Sequence, residues 1–255
     1  MKMFAEERQR TILKMLKENG AVRTSELLAK FSTSSETVRR DLLEMEKKRL
    51  LQRVHGGALA LPEMMKQTNL DFRTHSNYNE KAELSKTALS VINNGDAVFI
   101  DCGSTVTCLA EAIAERLERL TVVTNSMDVF NILNAAGKFD LIVTGGLFSP
   151  EENAFTGALA LGALSGIHIQ KAFIAPAAVS LGSGIFDYGH EFMLIQKKVL
   201  EVSNEIFVLA DSEKFEKTAL YKLSDTKSEY TYITDSSLSD NVKAIYRENG
   251  ITILN

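Results

Sequence analysis

The run Asp101-Cys102-Gly103-Ser104-Thr105 joins an apolar stretch over 97–101 to a helical pattern over 105–116. A glycine at the start of a helix lets backbone N–H groups close on an anion. The helix end adds a partial positive charge, and two hydroxyls add donors. A phosphate needs that set of groups. The same residues also make an ordinary turn in which Ser104 caps the helix, and the motif alone leaves both readings open. It has neither P-loop spacing nor Gly-x-Gly-x-x-Gly, so no nucleotide triphosphate or dinucleotide is expected. Other polar clusters follow other apolar stretches: Thr124-Asn125-Ser126, Thr144-Gly145-Gly146, Phe155-Thr156-Gly157, and 210–215 with Asp211 and Lys214. If the strands are parallel these clusters converge on one crevice, which favours a small polar, anionic ligand.

A second constellation lies near the amino terminus. Ser34 is placed to cap a helix whose Val38, Leu42 and Met45 recur at i, i+4 and i+7 and face inward. Ser35, Glu36, Thr37, Arg39 and Arg40 then occupy its early turns. An arginine there can donate twice to a guanine edge or reach a phosphate, and short hydroxyls can touch either. Taken alone, an arginine pair is more often a plain solvated face. The segment after it alternates weakly over 50–54 and turns at His55-Gly56-Gly57-Ala58, with Arg53 and His55 placed to follow a sugar-phosphate backbone.

These groups need elements to hold them. Upstream, Ile12, Leu13 and Leu16 define a helix over 5–19 that Gly20 stops, and Thr24 is placed to cap a second short helix with Leu27, Leu28 and Phe31 apolar. Two short helices joined by a tight turn, after a first helix and before a basic hairpin, describe a winged helix-turn-helix over 1–60. From residue 80 to 255 strands alternate with helices, which argues for a mostly parallel sheet covered on both faces. Strands are expected over 97–101, 120–124, 140–144, 171–175, 205–210, 231–234 and 251–254. Helices are expected over 80–92, 105–116, 127–136, 158–166, 191–203 and 240–248. Residues 61–79 read as a linker, with a short helix possible over 62–66 and a second half that packs on the body. The fold class is thus α/β, a small winged helix-turn-helix domain followed by a mostly parallel α/β domain.

Composition agrees. Apolar residues at 45% and charged residues at 24% are the balance of a soluble globular protein. Residues 1–60 carry thirteen Lys and Arg against eight Asp and Glu, while the remainder balances at −9, so a basic head sits on an acidic body. Two cysteines, Cys102 and Cys108, offer neither a disulfide scaffold nor a zinc pattern, and a reducing, cytoplasmic setting is expected. No apolar run has the length of a membrane span and no signal-peptide core opens the chain, so no membrane partner is expected. No metal site and no cofactor is expected.

The run Phe31-Ser32-Thr33-Ser34-Ser35-Glu36-Thr37-Val38-Arg39-Arg40-Asp41-Leu42, continued by Leu51-Gln52-Arg53-Val54-His55-Gly56-Gly57-Ala58, resembles the DeoR family of bacterial transcription regulators. The family pattern is a Phe, a Ser cap, Thr-Ile-Arg-Arg-Asp-Leu, then Arg-x-His-Gly-Gly-Ala. Thr33 departs from it, standing where Val is usual. Arg73, Glu80-Lys81, Asp101 with Gly103-Ser104-Thr105, Thr124-Asn125, Gly145-Gly146, Thr156-Gly157 and Asp211-Ser212 with Lys214-Phe215 match the rest of the family, chiefly its effector-sensing domain. That domain is similar in fold to ribose-5-phosphate isomerase. The resemblance implies that Lys81 and the Gly103-Ser104-Thr105 loop hold a phosphate and that Asp101, Asn125 and Lys214 border a sugar. Lys197 or Lys198 matches a basic position of the family. A second departure is Ala177 in Phe173-Ile174-Ala175-Pro176-Ala177, where the family often has an acid. Proton transfer beside a carbonyl needs a carboxylate, so that loss argues against catalysis; Asp187 and Glu191 remain as unplaced carboxylates. The expected protein is a regulator, not an enzyme, most simply a repressor of a carbohydrate-use operon. Its expected partners are double-stranded operator DNA, a small phosphorylated sugar and further copies of itself as a homodimer or homotetramer. The alternative is a sugar-phosphate enzyme or binding protein of isomerase-like fold.

Overall fold

The computed structural model describes residues 4–62 and 69–255. Beyond Pro62, the short helix expected over 62–66 lies outside them. The chain forms two compact units, Met1–Tyr78 and Asn79–Asn255.

The first unit is three helices and a small antiparallel sheet. Helix α1 (Ala5–Asn19) buries Gln9, Ile12, Leu13 and Leu16 on one stripe, and Gly20 ends it in the left-handed region, donating to Leu16 O. Strand β1 (Ala21–Arg23) leads into α2 (Thr24–Phe31). Thr24 is therefore the first helical residue and not the cap expected of it; Arg23 holds the cap position, its N–H donating to Glu26. A three-residue turn with Ser32 left-handed separates α2 from α3 (Ser35–Lys47). Ser34 caps α3 as expected, accepting from Thr37 N–H at 3.3 Å, a bond worth about 1 kcal/mol. Strands β2 (Gln52–Val54) and β3 (Gly57–Leu59) form the wing hairpin, and β3 also pairs with β1, giving the order β1-β3-β2. Helix α4 (Leu70–His75), capped by Asn69, sends Phe72 against this unit's core. The second half of the join thus packs on the head and not on the body as expected, because Phe72 finds apolar cover there.

The second unit is built on a seven-stranded parallel sheet. Its strands are β4 (Ala97–Ile100), β5 (Thr121–Thr124), β6 (Asp140–Val143), β9 (Ile169–Ile174), β12 (Ser203–Leu209), β14 (Tyr230–Ile233) and β15 (Thr252–Leu254), in the order β15-β14-β12-β9-β4-β5-β6. These are the seven strands expected. On one face Val98, Ile100, Phe173 and Phe207 pack with residues of α5 (Tyr78–Leu89), α6 (Ser104–Arg116) and α7 (Met127–Ala136). On the other, Phe99, Ala172, Ile174 and Val208 pack with residues of α8 (Gly157–Ser165), α9 (His190–Val202) and α10 (Asp240–Glu248). Burial on both faces explains why the strands read as apolar runs rather than alternating ones.

In the second unit five short strands lie outside the large sheet. A hairpin, β7 (Leu147–Ser149) with β8 (Ala154–Thr156), precedes α8. A second small antiparallel sheet joins β10 (Ala178–Ser180), β11 (Gly184–Asp187) and β13 (Tyr221–Ser224). These three-residue and four-residue strands carry too few residues for a period to register in the sequence. Among the described residues no helix is long and apolar enough to cross a membrane.

Candidate functional site

The order of the large sheet reverses at β4 and β9: β4, β5 and β6 run to one edge, and β9, β12, β14 and β15 to the other. At such a point the connections diverge and leave a crevice at the carboxyl ends of the strands. Asp101 stands there. Its N–H donates to Phe173 O, and its Oδ2 accepts from Ala175 N–H, both at 3.1 Å. Gln196 on α9 spans two carboxylates, its Nε2 donating to Asp101 Oδ2 at 2.9 Å and Asp187 Oδ2 at 3.0 Å. Burial pushes the Asp101 carboxyl up to about 6, against the lowering effect of the bonds from Gln196, Ala175 and Cys102. Burial also raises Asp187, although the nearby Lys214 charge works against it. Lys214 donates to Pro176 O at 2.8 Å, which fixes it beside the end of β9.

Asp187 answers the question raised by Ala177. The pair Ala178↔Phe186 in the antiparallel ladder of β10 and β11 sets Ala177 opposite Asp187 one step further on. A carboxylate therefore faces position 177 from the neighbouring strand. Glu191 lies elsewhere, exposed and paired with His190. Lys197 is exposed and Lys198 pairs with Glu201, so neither basic candidate on α9 joins the cluster. Gln196 does, and sequence reasoning missed it. The signal was a polar residue on the buried stripe of an amphipathic helix, between Met193 and Val199.

The phosphate candidates fall into two groups. Gly103 has φ +107°, a region for glycine only, and as the residue before α6 it has no side chain with which to cap that helix's first turn. Ser104 is the first helical residue and is not the cap that an ordinary turn would make of it. Ser104 and Thr105 are both buried at that helix start. Asn125 follows β5, which runs in register beside β4 through Ile100↔Thr124. It donates to Phe155 O at 3.2 Å and accepts on its backbone carbonyl from Phe155 N–H. Ser126 caps α7. The glycines have a packing role as well: a Cβ on Gly146 would stand 2.5 Å from Thr156 O, so the loop after β6 needs glycine to pass the start of α8 near Gly157. Gly145 meets nothing nearby and is left-handed. Lys81 is buried on α5; two residues on, the Glu83 carboxylate accepts from Ser236 beyond β14.

One consequence is testable by pH. The folded chain holds the Asp101 proton to about 6, against an ordinary 3.8, so the native state binds more protons than the unfolded one between those values. Stability therefore falls as pH rises through that window and is level above it. A span of about two pH units is worth roughly 3 kcal/mol, and Asp187 adds in the same sense. Asp101→Asn is expected to remove most of that slope in urea titrations of the full chain at a series of pH values between about 4 and 7. An unaltered slope would contradict the burial of this carboxyl.

In the first unit, Ser34, Ser35, Glu36, Arg39 and Arg40 are exposed along the start of α3, and Thr37 is half-buried with its hydroxyl 2.9 Å from that of Ser34. Arg39 forks onto Glu36, Nε to Oε2 at 3.0 Å and Nη2 to Oε1 at 2.8 Å. Arg53 donates from its backbone to Glu46, and its guanidinium lies 3.6 Å from the same carboxylate, which ties the wing to α3. His55 is exposed at the wing turn. The residue behind this surface is Asp41, whose carboxylate is buried against Arg8 of α1. Sequence reading gave it no role.

Comparison with known proteins accounts for both units. Residues 8–63 match the DeoR-like helix-turn-helix domain and residues 76–236 match the DeoR C-terminal sensor domain. The lactose phosphotransferase system repressor of Lactococcus lactis subsp. lactis is 34% identical over 93% of this chain and 93% of its own. The L-fucose operon activator of Haemophilus influenzae is 31% identical, covering 96% of this chain and 97% of its own. The glycerol-3-phosphate regulon repressor of Escherichia coli strain K12 is 26% identical, covering 97% of each. With a DNA-reading type of domain at one end, a sensor domain at the other and relatives that span its length, the chain belongs to the DeoR family of transcription regulators.

Proposed function

We propose that this chain is a DNA-binding repressor of a carbohydrate-use operon whose hold on DNA is controlled by a phosphorylated sugar. The observation that carries the reading is an uncapped helix start beside a polar crevice at the sheet's reversal point, in the same chain as a helix whose exposed first turns carry Arg39 and Arg40. The phosphoryl group lies at Gly103, Ser104 and Thr105 with Lys81, and the sugar lies along Asp101, Asn125 and Lys214, flanked by Gly145, Gly146 and Gly157. In the head, Ser34, Ser35, Glu36, Thr37, Arg39 and Arg40 meet the major groove while Arg53 and His55 follow the backbone. One head makes few contacts, so a homodimer or homotetramer on repeated half-sites is part of the proposal. Ligand control then requires the sugar phosphate to bind one arrangement of the subunits better than another. Two relatives named as repressors, one of them of a glycerol-3-phosphate regulon, support the sign and the effector class.

Duplexes selected from a random pool by the full chain provide the operator for the test. Arg39→Ala or Arg40→Ala is expected to cost about 1–3 kcal/mol of specific affinity where the side chain reads a base. Where it holds a phosphate, the slope of log affinity against log salt drops by about one instead. Operator binding unchanged in both respects by the pair of substitutions would remove α3 from the interface. A second reading, an enzyme acting on sugar phosphates, is favoured by the Asp101, Asp187 and Lys214 cluster alone; interconversion of pentose or hexose phosphates followed by NMR separates it from the first.

A further inference from the structure

Two buried amide oxygens in the crevice, Gln196 Oε1 and Asn125 Oδ1, have no hydrogen-bond partner among the described residues. Their orientation is dictated by their neighbours. The Gln196 NH2 group faces two carboxylates, and the Asn125 NH2 group faces the Phe155 carbonyl, all of them acceptors. Turning either amide round would set oxygen against oxygen. Both oxygens are therefore held as acceptors, at positions 2% and 0% exposed. A buried acceptor without a donor is destabilising, and such groups in native proteins usually have a partner. The two oxygens also share one place. Asn125 lies beside Asp101 across the β4–β5 ladder, and Gln196 is bonded to Asp101 from α9. An acceptor thus waits on either side of Asp101.

We propose that Gln196, together with Asn125, determines effector specificity, each amide oxygen accepting a hydrogen bond from one hydroxyl of a polyhydroxylated phosphate. The proposal rests on the reading of the crevice as a sugar-phosphate site and adds which groups of the sugar are read and by what. Asp101 and Asp187 act as positioning residues: by pinning the Gln196 NH2 they aim its oxygen before the ligand arrives, so little ordering remains to be done on binding. A ligand offering a keto or carboxylate oxygen at these points meets two lone pairs and is rejected. Inorganic phosphate satisfies the helix start and leaves both amide oxygens unmade.

Gln196→Lys separates this role from a structural one. Lysine keeps donors for both carboxylates but has no acceptor, whereas Gln196→Met keeps the length and loses both. The full chain and its variants are titrated, by thermal shift and calorimetry, with hexose 6-phosphates and pentose 5-phosphates, with monodeoxy analogues of the tightest binder, and with inorganic phosphate. The wild type is expected to prefer the parent sugar phosphate over one monodeoxy analogue by roughly ten- to a hundredfold. Gln196→Lys is expected to erase that preference with the unfolding temperature held and inorganic phosphate bound no more weakly. Asn125→Ala is expected to erase the preference at a different hydroxyl. Full preference in Gln196→Lys, with or without damage in Gln196→Met, overturns the proposal and leaves Gln196 a bridge between carboxylates. A wild-type chain that ignores every sugar phosphate overturns the sensor reading itself, and this proposal with it.

Discussion

Asp41→Ala is expected to destabilise the first unit by about 3–5 kcal/mol and to abolish duplex binding by the full chain. Asp41 and Arg8 form a two-point ion pair between α3 and α1, Nε to Oδ2 at 2.7 Å and Nη2 to Oδ1 at 3.0 Å, with side chains only 4% and 11% exposed. Asp41 raises the Arg8 guanidinium further above its ordinary range, so removing the carboxylate takes a close, two-point partner from a buried charge. The pair also sets the rotation of α3 about its axis. Val38, Asp41, Leu42 and Met45 face inward as one stripe, and only with that stripe docked do Arg39 and Arg40 face solvent. The double substitution Arg8→Met, Asp41→Leu replaces the ion pair by apolar packing and is expected to recover most of the lost stability, since such swaps are often neutral. Duplex binding should return with it. Calorimetry of the full chain reads the stability, and a gel or anisotropy titration reads the binding. If Asp41→Ala melts like the parent, the pair does not hold the helices together.

The same ion pair illustrates what the amino acid sequence discloses and what it conceals. Val38, Leu42 and Met45 announce α3 by spacing alone, and Ser34 announces its start. An aspartate on the same stripe announces only that something must neutralise it. Its partner is thirty-three residues away, a distance no periodicity spans. The large sheet was legible because strands buried on both faces leave apolar runs and because the helices between them keep their own period. The strands of the small sheet were not, being three or four residues long. That sheet is what carries Asp187 into the crevice, so the motif reading found Ala177 bare and did not find the acid facing it. Site residues on strand ends, such as Asp101 and Asn125, follow from the parallel topology. Gln196 does not, because it reaches the strand ends from the middle of a helix.

Gly57→Ala is expected to cost roughly 3 kcal/mol or more, while Gly56→Ala beside it costs about 1–2 kcal/mol. The two glycines of the wing are there for different reasons. Gly56 is left-handed at φ +81°, and an added Cβ would meet open space, so alanine suffers only the conformational penalty. Gly57 lies on the central strand of the head's sheet, paired with Val54 on one side and Arg23 on the other. A Cβ there would stand 2.0 Å from Val22 O and 3.2 Å from Arg23 Cα, both backbone atoms of β1. Neither strand can yield cheaply. Val22 is buried in the core, Thr24 N–H donates to Gly56 O, and Ala60 N–H donates to Gly20 O, so β1 and β3 are stapled at both ends. The strain is therefore relieved by opening the sheet, which frees the wing that carries Arg53 and His55 while α1, α2 and α3 keep their shared core. Urea unfolding of the full chain measures the first effect. Duplex titration against salt measures the second, with Gly57→Ala losing the backbone contacts of the wing and a correspondingly shallower slope. Equal losses from the two alanines would mean that the approach of β1 to β3 is not what demands glycine at 57.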